Sequence, residues 1–376
     1  MSRIRVLIVD DAVVIRKILI DELASDPAIE VVGTAANGKI ALEKILQLNP
    51  DIVTLDVEMP EMDGLETLLH LRKSHPKLPV IMFSTLTERG ATATLEALSR
   101  GASDYVTKPA NVGQVTNAKE AVRDDLIQKI KALVPDKGIS SKAGTTAVPK
   151  LYIPKVSPVG AGAPLIRPTA FAPISMVAIA VSTGGPNALA KVIPLLPADL
   201  EVPVVMVQHM PPMFTKLLAE RLDGQSKVRV FEGAEGMPVK KGEVYIAPGN
   251  YHMVINGDAS RPVIGLNQAE PENSCRPAAD VLFRSIVQNI KGNILAVVLT
   301  GMGQDGLLGC RMIKEHGGTI IAQDKESSVV WGMPGAVTED GIANKVLPLE
   351  SIAGEIIRIV RNSNSSASLR GGSPLC

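Results

Sequence analysis

Twice along this chain, short apolar runs that each stop at a polar residue alternate with stretches whose apolar residues recur every three or four positions. In residues 1–110 the runs are "RVLIVD", "VVGTAA", "DIVTLDV", "PVIMFST" and "SDYVTKP". Between them, "AVVIRKILIDELAS", "GKIALEKILQL", "GLETLLHLRKS" and "ATATLEALSR" carry the helical period. Such alternation folds as a parallel sheet covered on both faces by helices. Val122, Leu126, Ile130 and Leu133 continue the helical spacing past the last run. The pattern stops across 135–173, where Pro135, Pro149, Pro154, Pro158, Pro164, Pro168 and Pro173 stand among Gly, Ser, Ala and Lys. A stretch that can bury so little is expected to be a linker, extended where proline is dense. Strands and helices resume over 174–362 with "MVAIAVS", "VPVVMVQH", "VRVFEG", "EVYIAPG", "HMVING", "NILAVVLTGM" and "GGTIIAQD". Their apolar character fits strands buried on both faces of a parallel sheet. "EVYIAPGNYHMVI" predicts an antiparallel hairpin around Pro248-Gly249-Asn250. The chain thus divides into a doubly wound α/β unit over 1–125, a helix end and linker over 126–173, and a second doubly wound, mostly parallel α/β unit with an antiparallel hairpin over 174–362. Residues 363–376 form a tail expected to be disordered.

Composition narrows the function classes. Of 376 residues, 45% are apolar and 3% aromatic, so two aliphatic cores are affordable. Lys plus Arg and Asp plus Glu both number 39, which gives no electrostatic case for nucleic acid or an anionic membrane as partner. Cys275, Cys310 and Cys376 are too few and too scattered for a zinc site or a disulfide framework, which favours a reducing compartment. No signal peptide and no apolar run of membrane-spanning length is expected, so the reading is a cytoplasmic protein without direct membrane insertion.

In the first unit, chemistry collects at strand ends. Asp10 and Asp11 end the first run, Asp56 the third, Ser84 the fourth and Lys108 the fifth. Carboxyl ends of parallel strands converge on one crevice. Close carboxylates repel unless a cation sits among them, and hard oxygen ligands suit Mg²⁺. One carboxylate then remains for covalent work, with Lys108 and Ser84 steadying the transferred oxygens. Any one of these acids could equally cap a helix. Together they resemble the receiver domain of response regulators, a flavodoxin-like parallel sheet. The resemblance implies Asp56, in "TLDVEMPEMDG", as the phosphoacceptor. It implies Asp11, Asp56 and the backbone carbonyl of Glu58 as Mg²⁺ ligands supported by Asp10, and Ser84, Tyr105 and Lys108 as the residues that respond to phosphorylation.

The second unit opens on "MVAIAVSTGGPNALAKVI", where a buried strand breaks at Ser182 and a helix begins. A phosphate loop would need Gly-Lys-Ser/Thr and a dinucleotide fold would need G-x-G-x-x-G; neither is present. A nucleophilic serine needs a base and an acid to orient it. Of five histidines, His70 and His75 lie in the first unit, His252 in the expected hairpin and His316 at a helix terminus. His209 ends the strand "VPVVMVQ" and so shares the crevice edge of Ser182. The acid could be Asp305 in "TGMGQDG", with Asp280, expected to face outward or cap a helix, and Asp324 as rivals. Gly301 and Gly303 would let backbone amides approach a substrate, so the amides of Thr183 and Met302 could hold an oxyanion.

The motifs "STGGP", "QHMPPMFT", "YIAPGNYHM", "RPAADVLF", "TGMGQDG", "TIIAQD" and "VVWGMPGAV" make residues from about 174 to 360 similar to the catalytic domain of chemotaxis protein-glutamate methylesterases of CheB type. The resemblance implies Ser182 as nucleophile, His209 as base, Asp305 as orienting acid, and the Thr183 and Met302 amides as oxyanion donors. It implies hydrolysis of glutamyl methyl esters and deamidation of glutamines on chemoreceptors, without a cofactor for that reaction. It also implies a chemotaxis histidine kinase as phosphodonor to a monomer. The competing reading is a receiver-gated, non-catalytic adaptor.

Overall fold

The computed structural model describes residues 3–108, 115–135, 173–290 and 292–368, with backbone alone for 115–122 and 364–368. The linker expected over 126–173 falls mostly outside these residues.

The first unit alternates strictly. Its strands are β1 (Ile4–Val9), β2 (Ile29–Ala35), β3 (Ile52–Asp56), β4 (Val80–Ser84) and β5 (Asp104–Thr107). Its helices are α1 (Val13–Leu23), α2 (Gly38–Leu48), α3 (Gly64–Ser74), α4 (Glu88–Ser99) and α5 (Val115–Leu133). The five strands form one parallel sheet in the order β2-β1-β3-β4-β5. Order reverses between β1 and β3, which opens a crevice at their carboxyl ends. Helix starts are set by local chemistry: Asn37, Asp63 and Thr87 each accept a backbone N–H of the first turn.

In the second unit the elements are β6 (Ile174–Val181), α6 (Gly185–Val192), β7 (Val204–Gln208), α7 (Phe214–Gln225), β8 (Arg229–Glu232) and β9 (Glu243–Ile246). There follow β10 (His252–Asn256), β11 (Val263–Asn267), α8 (Ala279–Asn289), β12 (Asn293–Val298) and α9 (Leu307–Glu315). The unit ends with β13 (Thr319–Gln323), α10 (Met333–Glu339), β14 (Lys345–Leu347) and α11 (Leu349–Ser368). Seven strands make a parallel sheet ordered β14-β13-β12-β6-β7-β9-β8. The chain enters at β6 and leaves to both sides, so the loops after β6, β7 and β12 share one edge. The central strands are buried along their length, as their unbroken apolar sequences require.

Two expectations need correction. The antiparallel pair is β10 with β11, not a hairpin around Pro248-Gly249-Asn250. β9 stays in the parallel sheet, and the chain after it turns under the loop that follows β7. There Gly249 lies so close to Pro211 and Pro212 that a Cβ would fall 2.2 Å from the Pro212 nitrogen. The turn that closes the hairpin is at Asp258, whose carboxylate accepts the N–H groups of Ser260 and Arg261. The second correction is at the tail. α11 runs on through Ser368, so 363–368 are helical, and Ser363 is buried with its hydroxyl accepting the N–H of Ile174 at 3.0 Å. Residues 369–376 lie outside the described ones.

The two units pack against each other. α4 meets α6 and α7, and one apolar cluster runs from Ala91, Leu95 and Tyr105 to Phe214 and Leu218. The Tyr105 ring stacks on Phe214 at 4.9 Å with 7° between planes, and Arg221 donates to the carbonyl of Leu95 at 2.6 Å. Among the described residues, no helix is long and apolar enough to cross a membrane.

Candidate active site

The turn after β6 is set by two glycines. Gly184 has φ 76°, and a Cβ there would fall 2.6 Å from Val329 Cβ. A Cβ on Gly185 would fall 1.9 Å from Gln208 Oε1. The chain can therefore turn from strand to helix only with these residues, and Ser182 stands at the bend. β6 and β7 pair up to Val181 and Gln208, so Ser182 and His209 emerge side by side, with His209 N–H donating to Val181 O at 3.3 Å. Gln208 Nε2 bridges the carbonyls of Ser182 and His209 at 3.1 and 3.3 Å.

His209 Nε2 lies 2.8 Å from Asp305 Oδ2. That carboxylate is 2% exposed and also accepts from Ala279 N–H, Asp280 N–H and Asn273 Nδ2. It therefore caps the start of α8 while holding the imidazole. Burial opposes its charge, but His209 and the helix amides hold its pKa below the usual carboxylate value. Burial would by itself lower the His209 pKa, yet the bonds to Asp305 and to Cys275, whose Sγ is 3.6 Å from Nδ1, raise it to about 10. The two shifts agree in sign, as an ion pair requires. Among the described residues no hydrogen bond joins the Ser182 hydroxyl to the ring. Nδ1 is the nitrogen not engaged by Asp305.

The rival acids have other partners. Asp280 is buried, not outward-facing, and its Oδ1 accepts Gly309 N–H at 2.7 Å in the first turn of α9. Asp305 and Asp280 thus cap each other's helices, with Asn273 donating to both. Asp324 accepts from the N–H and hydroxyl of Ser327 in a local turn. His252 is fully buried, its Nε2 donating to Glu270 O and its Nδ1 accepting from Ala278 N–H, which fixes it as a strut under α8. His316 binds Met312 O at the end of α9.

The loop after β12 is pressed onto Ser182. A Cβ on Gly301 would fall 2.9 Å from Ser182 Cβ and 2.4 Å from Met333 Sδ. Gly301 O accepts the N–H groups of Gly332 and Met333, and a Cβ on Gly332 would fall 2.7 Å from that oxygen, which explains a glycine in "VVWGMPGAV" that the sequence left without a role. Thr300 Oγ1 ties the loop to Thr183 O. Among the described residues, the N–H groups of Thr183 and Met302 donate to no protein acceptor. Asn273, Gln208 and Thr300 were not singled out from sequence; only "NS" in "ENSCRP" carried a turn signal.

At the crevice of the first unit, Asp11, Asp56, Glu58, Ser84 and Lys108 line a pocket of about 210 Å³. Lys108 Nζ lies 2.8 Å from Asp10 Oδ2 and 2.7 Å from Asp56 Oδ2. Burial, with the nearby Asp10 charge, raises the Asp56 pKa to about 6 against the pull of Lys108. Oxygens of Asp10, Asp11 and Asp56 lie within 4.8 Å of one another, and buried Asp10 Oδ2 has only the ionic contact with Lys108, without hydrogen-bond geometry. An all-oxygen set with an orphaned buried member fits a hard divalent cation. Ser84 Oγ binds Gly90 O at 3.1 Å, and the Glu58 side chain faces Arg89 in solvent.

The His209–Asp305 pair has a measurable signature. An imidazole whose folded pKa exceeds the unfolded value of about 6.5 stabilises the fold fully below that pH and loses the contribution as pH rises through the folded value. Unfolding free energy should therefore fall between pH about 6.5 and about 10 in the wild type relative to His209→Gln. A difference between the two proteins that does not vary over this window, measured by urea unfolding, contradicts the ion pair.

Comparison with known proteins identifies both units. The CheB methylesterase family matches residues 177–356, and the response regulator receiver domain family matches 6–120. The protein-glutamate methylesterase/protein-glutamine glutaminase of Nocardioides sp. is 53% identical over 363 residues, covering 95% of this chain and 96% of its own. That of Pyrococcus horikoshii is 43% identical, covering 95% and 94%. The crystal structure of the Thermotoga maritima CheB methylesterase catalytic domain is 45% identical, covers 49% of this chain and 98% of its own, and superimposes with a TM-score of 0.48. With a receiver unit and a methylesterase unit in one polypeptide, the chain belongs to the protein-glutamate methylesterase/protein-glutamine glutaminase family.

Proposed function

We propose that this protein is a phosphorylation-activated esterase that removes methyl groups from glutamate side chains of chemoreceptors in the cytoplasm, and deamidates their glutamines. The observation that carries the reading is the pair of His209 with the buried Asp305 carboxylate at the strand end adjoining Ser182. In this reading the Ser182 hydroxyl attacks the ester carbonyl carbon, and the unprotonated form of His209, a minor fraction at neutral pH given its raised pKa, takes its proton at Nδ1, since Nε2 is committed to Asp305. The N–H groups of Thr183 and Met302 receive the negative charge that develops on the carbonyl oxygen. His209 returns its proton to the leaving methoxide, and methanol departs. Water then cleaves the acyl-serine by the same path. With a glutamine substrate only the leaving group differs, and ammonia is released.

The first unit supplies control. Asp56 is the phosphoacceptor, and a histidine kinase the donor. Asp11, Asp56 and the Glu58 carbonyl would hold Mg²⁺ with Asp10 in support; the ion would neutralise charge during phosphoryl transfer. Lys108 bridges Asp10 and Asp56, so a phosphoryl group on Asp56 must re-partner it and offer Ser84 a new acceptor. Tyr105, one strand over from Ser84, carries that change to Phe214 on α7, the helix that follows His209. Phosphorylation then weakens the packed arrangement and frees the esterase crevice.

Methanol release from methylated receptor tests the esterase reading. Ser182→Ala should lose about 10³-fold or more, and Asp305→Asn about 10²-fold or more, while Asp324→Asn stays within about tenfold of wild type. Equal losses in the two aspartate variants would reassign the acid. Asp56→Asn should keep basal release and lose its stimulation by a small phosphodonor such as acetyl phosphate. Stimulation surviving in that variant removes Asp56 from the control step.

A further inference from the structure

Cys275 sits on a turn that is fixed at both ends. Glu272 N–H donates to Cys275 O at 3.1 Å and Cys275 N–H to Glu272 O at 2.9 Å. The two residues between, Asn273 and Ser274, both have positive φ, 54° and 62°. Asparagine tolerates that conformation, whereas serine gains nothing from it, so the turn must be held from outside. Two clamps hold it. Asn273 Nδ2 donates to Asp305 and Asp280 at 2.9 and 3.0 Å. Glu272 takes both terminal nitrogens of Arg284, at 3.1 and 2.7 Å. The turn thereby aims a half-buried, unpaired thiol at the imidazole, with Sγ 3.6 Å from Nδ1. Since Nε2 meets Asp305, a thiol, an imidazole and a carboxylate follow one another as in a cysteine nucleophile with its base and orienting acid. Cys310 has no such setting: it is fully buried, and burial raises its pKa.

We propose that Cys275 is a second nucleophile served by the same imidazole as Ser182, and a modification site for soft electrophiles whose reaction closes the esterase crevice. The proposal rests on reading His209 as the base. With an alkyl halide such as iodoacetamide, Sγ attacks the methylene carbon, the S–C bond forms as the C–I bond breaks, iodide leaves, and the thiol proton passes to Nδ1 of the unprotonated imidazole. The new carbamidomethyl group then stands against the nitrogen that must accept the Ser182 proton, so a thioether at 275 blocks ester hydrolysis without touching Ser182.

Iodoacetamide treatment of the full chain, followed by peptide mass mapping and methanol release, tests this. Cys275 should react at least about tenfold faster in the wild type than in His209→Gln, because the variant lacks the base. This rate ratio does not depend on esterase activity, so it stands apart from the functional reading. Methanol release should fall in step with modification of Cys275, and the activity that Cys275→Ser retains should be insensitive to the reagent. Equal alkylation rates in wild type and His209→Gln overturn the proposal, as does full activity in protein modified at Cys275. Untreated wild type that releases no methanol would instead count against the esterase reading.

Discussion

Two helices begin at the carboxylates of Asp305 and Asp280, and each acid serves the helix that follows the other. Asp305 lies just before α9 and accepts the first N–H groups of α8; Asp280 lies in the first turn of α8 and accepts an N–H of α9. Each helix start leaves N–H groups without partners, and a buried carboxylate is stable only where such donors surround it. Crossing the two acids satisfies both needs and locks α8 to α9. It also leaves one oxygen of Asp305 facing His209. The imidazole is therefore held by the same bonds that hold the fold, and its position depends on helix packing rather than on loop conformation.

Reciprocity explains why the sequence revealed some parts of the site and not others. Ser182, His209 and Asp305 could be placed on one crevice edge because each follows a continuous apolar run. Strand ends in a parallel sheet point the same way. Asp280 and Asn273 could not be placed. Apart from the bond between them, their partners are 25 to 32 residues away, and no local period encodes that. The antiparallel pair was misplaced for a related reason: "VIGLN" is short, and "APGNY" mimics a hairpin turn while serving as a crossing whose Gly249 is buried against Pro211 and Pro212. Polar tail residues concealed the end of α11, where the Ser363 hydroxyl accepts the N–H at the start of β6. Composition reads Asn and Ser as disordered; a single long-range hydrogen bond overrides it.

The contact between units joins the two chemistries physically. Tyr105 is pinned by Lys129, which donates to its carbonyl at 2.7 Å and lies 5.2 Å from its ring centroid. Next to it, the buried carboxylate of Asp104 faces the Thr183 hydroxyl, with one oxygen lacking a hydrogen bond of good geometry. A buried acid whose second oxygen has only the Lys129 ammonium at 3.7 Å, without hydrogen-bond geometry, makes this a contact of limited stability. Under the proposed control by phosphorylation, an interface that opens on a modest signal benefits from such a weakness, since a few kcal/mol suffices to move a two-state balance.

Labelling with a fluorophosphonate ester tests the central claim, that Asp305 holds His209 as the base for the Ser182 hydroxyl. The reagent should form one covalent adduct, mapped to Ser182 Oγ, at a rate that falls about 10²-fold or more in Asp305→Asn. An adduct on a different residue, or labelling of Ser182 at an undiminished rate in Asp305→Asn, would contradict it.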